Sequence, residues 1–214
     1  MKTLPLITKF FTRGSEPIKE PLRKSLLAVL FLTCMISSFA QTELTGAMGL
    51  TFGMNPNSVQ SVMEKKGGIV KTLKNGKFII TNVIMGTKKP AMVLCDFVNN
   101  KLFDIGIYFT PSLEAKTQDL YDEISEIIVS KYGKGESIRH FKGIYTDDDG
   151  YEMQAVKLGN ADIVTYWSKF LNNNAICLQI YPLTESLYVK LTYQDDRLAA
   201  EAEKQQATKD KAEF

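Results

Sequence analysis

Apolar side chains recur every three or four positions between residues 112 and 133, the longest unbroken helical pattern in the chain. Leu120, Tyr121, Ile124, Ile127, Ile128 and Tyr132 fall on one face, and Asp119, Asp122, Glu123, Glu126 and Lys131 on the rest. Pro111 stands just before the run, where a missing amide hydrogen costs nothing. Gly133 stands where a left-handed C-terminal cap is expected. The pattern predicts a helix over 112–133 whose apolar stripe packs across a sheet.

On both sides of this helix the hydrophobic period is two. Upstream, Asn55 and Pro56 open a short helix with Val59, Val62 and Met63 on one stripe, ended by Gly67 and Gly68. Strands follow from Ile69, through a hairpin at Asn75-Gly76, over 78–85, over 91–98 and, after Asn99-Asn100, over 101–109. Downstream, strands are predicted over 141–146 and 151–158, separated by a turn at Asp147, Asp148, Asp149 and Gly150. Others are predicted over 163–167, 175–182 and 187–193, with a loop at Asn172-Asn173-Asn174. The segment 195–214 opens on Asp195 and Asp196 and turns almost wholly polar after Ala200, which predicts a solvated helix or tail.

The expected fold class is α+β: an antiparallel sheet built from two helix-plus-meander halves, 49–110 and 111–194, with helices packed on one face. Both halves belong to one domain over 41–194. Phe103, Ile105, Ile107 and Phe109 align with Leu187, Val189, Leu191 and Tyr193 at a constant offset of 84 residues. A duplication produces such an offset, and so do any two meanders that each run into a helix.

The first forty residues change the picture. Arg23 and Lys24 precede an apolar run, 25–40, that ends in Ser38-Phe39-Ala40, the pattern of a secretory signal cleaved before Gln41. The run is shorter than the ~20 residues a membrane-spanning helix needs, so no transmembrane span is expected after cleavage. Cys34 would be the lipid-anchor position, but Phe31-Leu32-Thr33 is not a small-residue lipobox, so anchoring there is not expected. Residues 1–40 carry six of the 26 basic and two of the 24 acidic residues, leaving 20 basic against 22 acidic. The surplus of positive charge therefore belongs to the leader, and no basic stripe with interleaved aromatics points to nucleic acid.

Little in the remainder reads as chemistry. His140 is the only histidine, which excludes multi-histidine metal centres. Asp147, Asp148 and Asp149 lack the alternating ligands and distal glutamate of an EF-hand, so a turn is expected there, with Glu152 nearby. Cys95 and Cys177 lie in an oxidising compartment, but Cys95 alternates in phase with core residues and Cys177 out of phase, which predicts two free thiols. Asp96 and Asp104 fall on the polar phase of their strands, and Gly106 shares it. Tyr108, Tyr166, Trp167, Tyr181 and Tyr188 are the candidate binding residues, because a sheet with helices on one side has another side that meets water or a partner.

The segment Gly53-Met54-Asn55-Pro56-Asn57-Ser58-Val59, with Met63 and a glycine pair after it, resembles the helix opening of bacterial envelope domains of the BamE (SmpA/OmlA) type. Ser130-Lys131-Tyr132-Gly133-Lys134, Trp167 and the strand end Leu191-Thr192-Tyr193 look like secreted proteins of related build, and the tandem layout is similar to the beta-lactamase inhibitor protein fold. BamE proteins are usually lipidated, which this chain does not match at Cys34. None of the inhibitor family's contact residues matches a position here, so inhibition is not carried over. Residues and resemblance together lead to an exported, non-catalytic envelope module, periplasmic or secreted, without cofactor or metal, presenting a sheet face to an envelope protein, peptide or lipid-like ligand. The alternatives are an enzyme using acidic groups near 147–152 or His140, and a structural envelope protein.

Overall fold

A computed structural model describes residues 43–212, within a unit spanning Gln41–Phe214. The expected signal segment and the Cys34 position lie outside the described residues. Among the described residues, ten strands and four α-helices follow one another: β1 (Gly46–Ala47), β2 (Leu50–Thr51), α1 (Pro56–Lys65), β3 (Ile69–Thr72), β4 (Phe78–Thr81), β5 (Met92–Val98), β6 (Lys101–Phe109), α2 (Thr117–Tyr132), β7 (Glu136–Phe141), α3 (Glu152–Lys157), β8 (Ala161–Trp167), β9 (Ala175–Leu183), β10 (Ser186–Gln194) and α4 (Asp196–Ala212). β1 and β2 form a small ribbon. The other eight strands form one antiparallel sheet in the order β3-β4-β5-β6-β10-β9-β8-β7.

The order has a simple logic. Each half is a helix followed by four antiparallel strands, with α3 inserted between β7 and β8 in the second half, and the two sets of strands join through their last members, β6 and β10. Ile107 and Leu191, equivalent under the 84-residue offset, sit directly opposite each other in that seam. Ile105 faces Tyr193 and Phe109 faces Val189 in the same register, and all six side chains are buried. At about 1.5–3 kcal/mol for each large apolar side chain removed from water, the seam is a principal source of stability.

The core lies on one face, called the inner face here. Val59 and Met63 of α1, Tyr121, Ile124 and Ile128 of α2, and Ala155 and Val156 of α3 join the inner side chains of the strands in one cluster. α2 is shorter than its sequence pattern: a 3-10 turn over Glu114–Lys116 precedes it, and Gly133, at φ 80°, closes it. Its buried stripe is also narrower, since Ile127 is 51% exposed. The tyrosine of that stripe is fixed by chemistry as well as packing, because its hydroxyl meets Thr165 Oγ1 of β8 at 2.7 Å in the interior.

Three expectations need correction. The stretch 151–158 is not a strand but contains α3, a segment rich in helix formers whose Ala155 and Val156 pack into the inner-face cluster. The strand expected over 141–146 lies earlier, over Glu136–Phe141, with the chain leaving it in turns at Gly143 and Asp148. The return strand expected to reach 85 stops at Thr81, where Asn82 adopts φ 60°.

The last helix also differs in its surroundings. α4 packs on β5 and β6, and Leu198 and Ala199 are buried, yet neither belongs to the inner-face cluster. Val98 is likewise buried outside it, and α4 borders a groove shared with Lys77 and Asp96. α4 therefore crosses the outer face, opposite α1, α2 and α3. Asp195 caps it by accepting from the Leu198 amide at 2.9 Å, and Gln205 donates to Asn99 at 2.9 Å near its far end.

Candidate functional site

Strand parity assigns side chains to the outer face without ambiguity. Tyr108 opposes Lys190, which opposes Gln179; Gly106 opposes Thr192, which opposes Cys177, which opposes Tyr166; Tyr188 opposes Tyr181. Four of the five aromatic candidates, Tyr108, Tyr166, Tyr181 and Tyr188, are thus brought to one surface. Trp167 is not among them. It is one residue out of phase, 4% exposed, and its Nε1 donates to the Gly133 carbonyl at the end of α2 at 2.8 Å. Its role is to anchor α2 to β8, and a partner cannot reach it.

Three of the tyrosines pack together, and a cation lies over two of them. Tyr108 meets Tyr181 edge-to-face at 6.0 Å and Tyr188 at 6.2 Å. Lys190 Nζ lies 5.2 Å from the Tyr181 ring centre and 5.6 Å from that of Tyr108, a cation–π arrangement that orders an otherwise flexible side chain. Tyr108, at 6% exposed, is the floor of the cluster, while Tyr181 and Tyr188 are half-buried and Tyr166, farther along the sheet, is 41% exposed. Burial, then the neighbouring Tyr181, pushes the Tyr108 phenol up to about 12, so it remains a neutral hydrogen-bonding group.

Beside the cluster, toward α4, two carboxylates oppose each other across β5 and β6. Asp96 pairs with Asp104 at a β-bulge, and Lys77 Nζ meets Asp96 Oδ2 at 2.5 Å. Asp96 Oδ1 is buried without a hydrogen-bond partner among the described residues. Burial, reinforced by the charge of Asp96 and opposed by Lys190 and Lys77, raises Asp104 to about 6. Gly106 lies between Asp104, Tyr108 and Lys190. A β-carbon there would sit 3.4 Å from the Tyr108 ring and 3.5 Å from Lys190 Cε, so the glycine leaves a notch that a methyl group would fill without collision.

The remaining candidates do not converge. His140 is on the exposed outer side of β7, opposite Asp162, in a shallow depression of about 260 Å³ shared with Ile138 and Tyr166. The acidic turn is on the other side of the same strand, reached by Arg139, whose Nε donates to Asp147 Oδ1 at 2.7 Å. Asp147, Asp148 and Glu152 approach one another within 4.8 Å, but the Arg139 hydrogen bond already holds the Asp147 carboxyl below its usual range. Asp149 accepts from the Thr146 and Tyr151 amides at 2.8 Å each, which is turn chemistry. Cys95 and Cys177 are free, on opposite faces as parity predicts. Burial pushes the Cys177 thiol up to about 11, which leaves little nucleophilic thiolate at neutral pH.

The asparagine triplet, in the loop before β9, has a structural role. Asn172 Nδ2 and Asn174 Nδ2 donate to the Leu44 carbonyl at 2.9 and 2.7 Å, and Asn172 Oδ1 accepts from the Leu44 amide. These contacts pin Leu44, itself buried, into the core near the start of the described chain. No family model, no curated protein and no solved structure matches this chain.

Proposed function

We propose that the chain is an exported, non-catalytic binding module of the cell envelope whose open outer face, over β8, β9 and β10, receives a protein or peptide. The observation that carries this reading is the packing of Tyr181 and Tyr188 on Tyr108, with Lys190 over the Tyr108 and Tyr181 rings and Tyr166 beyond them, on the part of the outer face away from α4. Tyrosine presents a large apolar ring and a hydroxyl at small entropic cost, which suits it to contact surfaces. Export rests on the apolar run over 25–40 with its basic flank and small-residue end. A build of the BamE or beta-lactamase inhibitor protein type is part of the proposal, supported by the twice-repeated order of a helix and four antiparallel strands. The enzyme alternative has less support, because His140 and the acidic turn lie on opposite sides of β7.

The test is quantitative capture from envelope extract with three versions of the protein. Wild type and an Ile127→Ala control, altered on the exposed side of α2, should retain the same partner, and a Tyr166→Ala/Tyr188→Ala variant should lose it. Equal capture by all three refutes the proposed face. Flotation with vesicles of phosphatidylethanolamine and phosphatidylglycerol separates a lipid-like ligand from a protein: binding to vesicles that depends on the same tyrosines replaces the protein partner by a lipid.

A further inference from the structure

The sheet ends on one side at β7, and nothing among the described residues pairs with its outer edge. The register of β7 on β8 extends one step to a hydrogen bond from the Lys142 amide to the Asn160 carbonyl, 2.8 Å. In an antiparallel ladder hydrogen-bonded pairs alternate, so Glu136, Ile138 and His140 spend their backbone groups on β8. Ser137, Arg139 and Phe141 direct theirs away from the sheet. No backbone or side-chain hydrogen bond among the described residues occupies those outward groups.

Proteins commonly guard such an edge with a projecting cation, a proline or a bulge. β7 has no proline or bulge, and its one arginine is withdrawn, since Arg139 is bound to Asp147 and reaches Gln118 at 3.4 Å. The opposite edge, β3, has only four residues and exposes Lys71 near its middle.

We propose that two copies of this chain pair antiparallel along β7, with Ile138 on the two-fold axis. Charge and register select this arrangement over its neighbour. With the axis at Ile138, the outward groups of Ser137 pair with those of Arg139 in the second copy. On the outer face, Ile138, 42% exposed, meets its own copy, and Glu136 lies opposite His140 at both ends. Moving the axis one residue to Arg139 would crowd two Arg139 side chains, each held by its own Asp147, directly opposite each other and set Ile138 against His140, so the apolar centre would be lost. The segment Glu136-Ser137-Ile138-Arg139-His140 is thus self-complementary: acid, apolar centre, base. Because the axis stands perpendicular to the sheet, the two outer faces fall on the same side, and the sheets become continuous across the seam.

Sedimentation velocity and oxidative cross-linking of the protein recovered from cells expressing the full chain test this together. Wild type should form a concentration-dependent dimer, and Ile138→Lys should be monomeric with an unchanged circular dichroism spectrum, the site being exposed. In a Cys177→Ser background, Ile138→Cys should cross-link to its own copy under mild oxidation, because directly opposed positions in a non-hydrogen-bonded pair meet the separation a disulfide needs. Ser137→Cys, which faces Arg139 of the other copy, should not. A wild type that stays monomeric, a dimer indifferent to Ile138→Lys, or cross-linking from Ser137→Cys in place of Ile138→Cys overturns the proposal.

Discussion

Replacing Asp104 by asparagine should stabilise the protein at neutral pH and leave its stability unchanged in acid. Asp104 is held at about 6, against an ordinary 3.8, chiefly by burial and then by the facing charge of Asp96, with Lys190 and Lys77 pulling the other way. Between these two values the folded chain holds a proton that the unfolded chain has released, so stability falls as pH rises through that window. Above about 6 the ionised carboxylate costs its full amount. At about 1.36 kcal/mol per pH unit the interval corresponds to about 3 kcal/mol, and residual hydration at this half-buried site reduces it to about 2 kcal/mol. The asparagine side chain would keep the shape and remove the charge, so the variant should gain about 2 kcal/mol near pH 7.5, or about 4–8 °C in Tm for a domain of this size. Below about pH 4 both forms are neutral and the gain should vanish. Urea unfolding of both proteins across this pH range measures the difference directly. A gain that does not change with pH, or a loss of stability at pH 7.5, would refute the argument.

Other consequences follow from single contacts. Gly135→Ala would place a β-carbon 2.7 Å from both Thr165 Cγ2 and Trp167 Cε2 and 2.8 Å from the Tyr166 carbonyl oxygen, so thermal unfolding should show a loss of about 1–3 kcal/mol. Gly106→Ala meets nothing closer than 3.4 Å, so its Tm should stay within a few degrees while any ligand that enters the Asp104–Lys190 notch binds more weakly in titration calorimetry. Tyr121→Phe removes the hydroxyl contact between α2 and β8 but leaves Thr165 bonded to Ser137 at 3.2 Å, which should limit the loss to about 1 kcal/mol in chemical denaturation. Asn174→Ala leaves the Leu44 carbonyl with Asn172 alone, and limited proteolysis should then cut the segment before β1 severalfold faster than in wild type.

Much of this architecture was legible because it rests on local periodicity. Asn-Gly at 75–76 marked the first hairpin and the alternation of Ile105, Ile107 and Phe109 marked β6, both signals that survive in tertiary context. Parity also separated Cys95 from Cys177 and sent four tyrosines to one face, since a strand leaves a side chain only two directions. Trp167 was grouped with them as an aromatic neighbour of Tyr166, without regard to the parity by which adjacent strand residues point apart. The 151–158 stretch failed for another reason: eight residues of mixed polarity have no decisive period, and the six over Glu152–Lys157 form a helix packed against β8 and β9. Nor could periodicity show that α4 crosses the outer face. Leu198 and Ala199 are too few to make a stripe, and the side they cover is decided by the chain's path from the end of β10.

The central claim, that the open outer face is the contact surface, is tested most directly by a photo-reactive phenylalanine analogue introduced in living cells. It would be placed singly at Tyr166, at Tyr188 and, on the exposed side of α2, at Ile127. Irradiation should give the same adduct from the Tyr166 and Tyr188 positions and none from Ile127. Adducts from Ile127 alone, or from none of the three, would contradict the account.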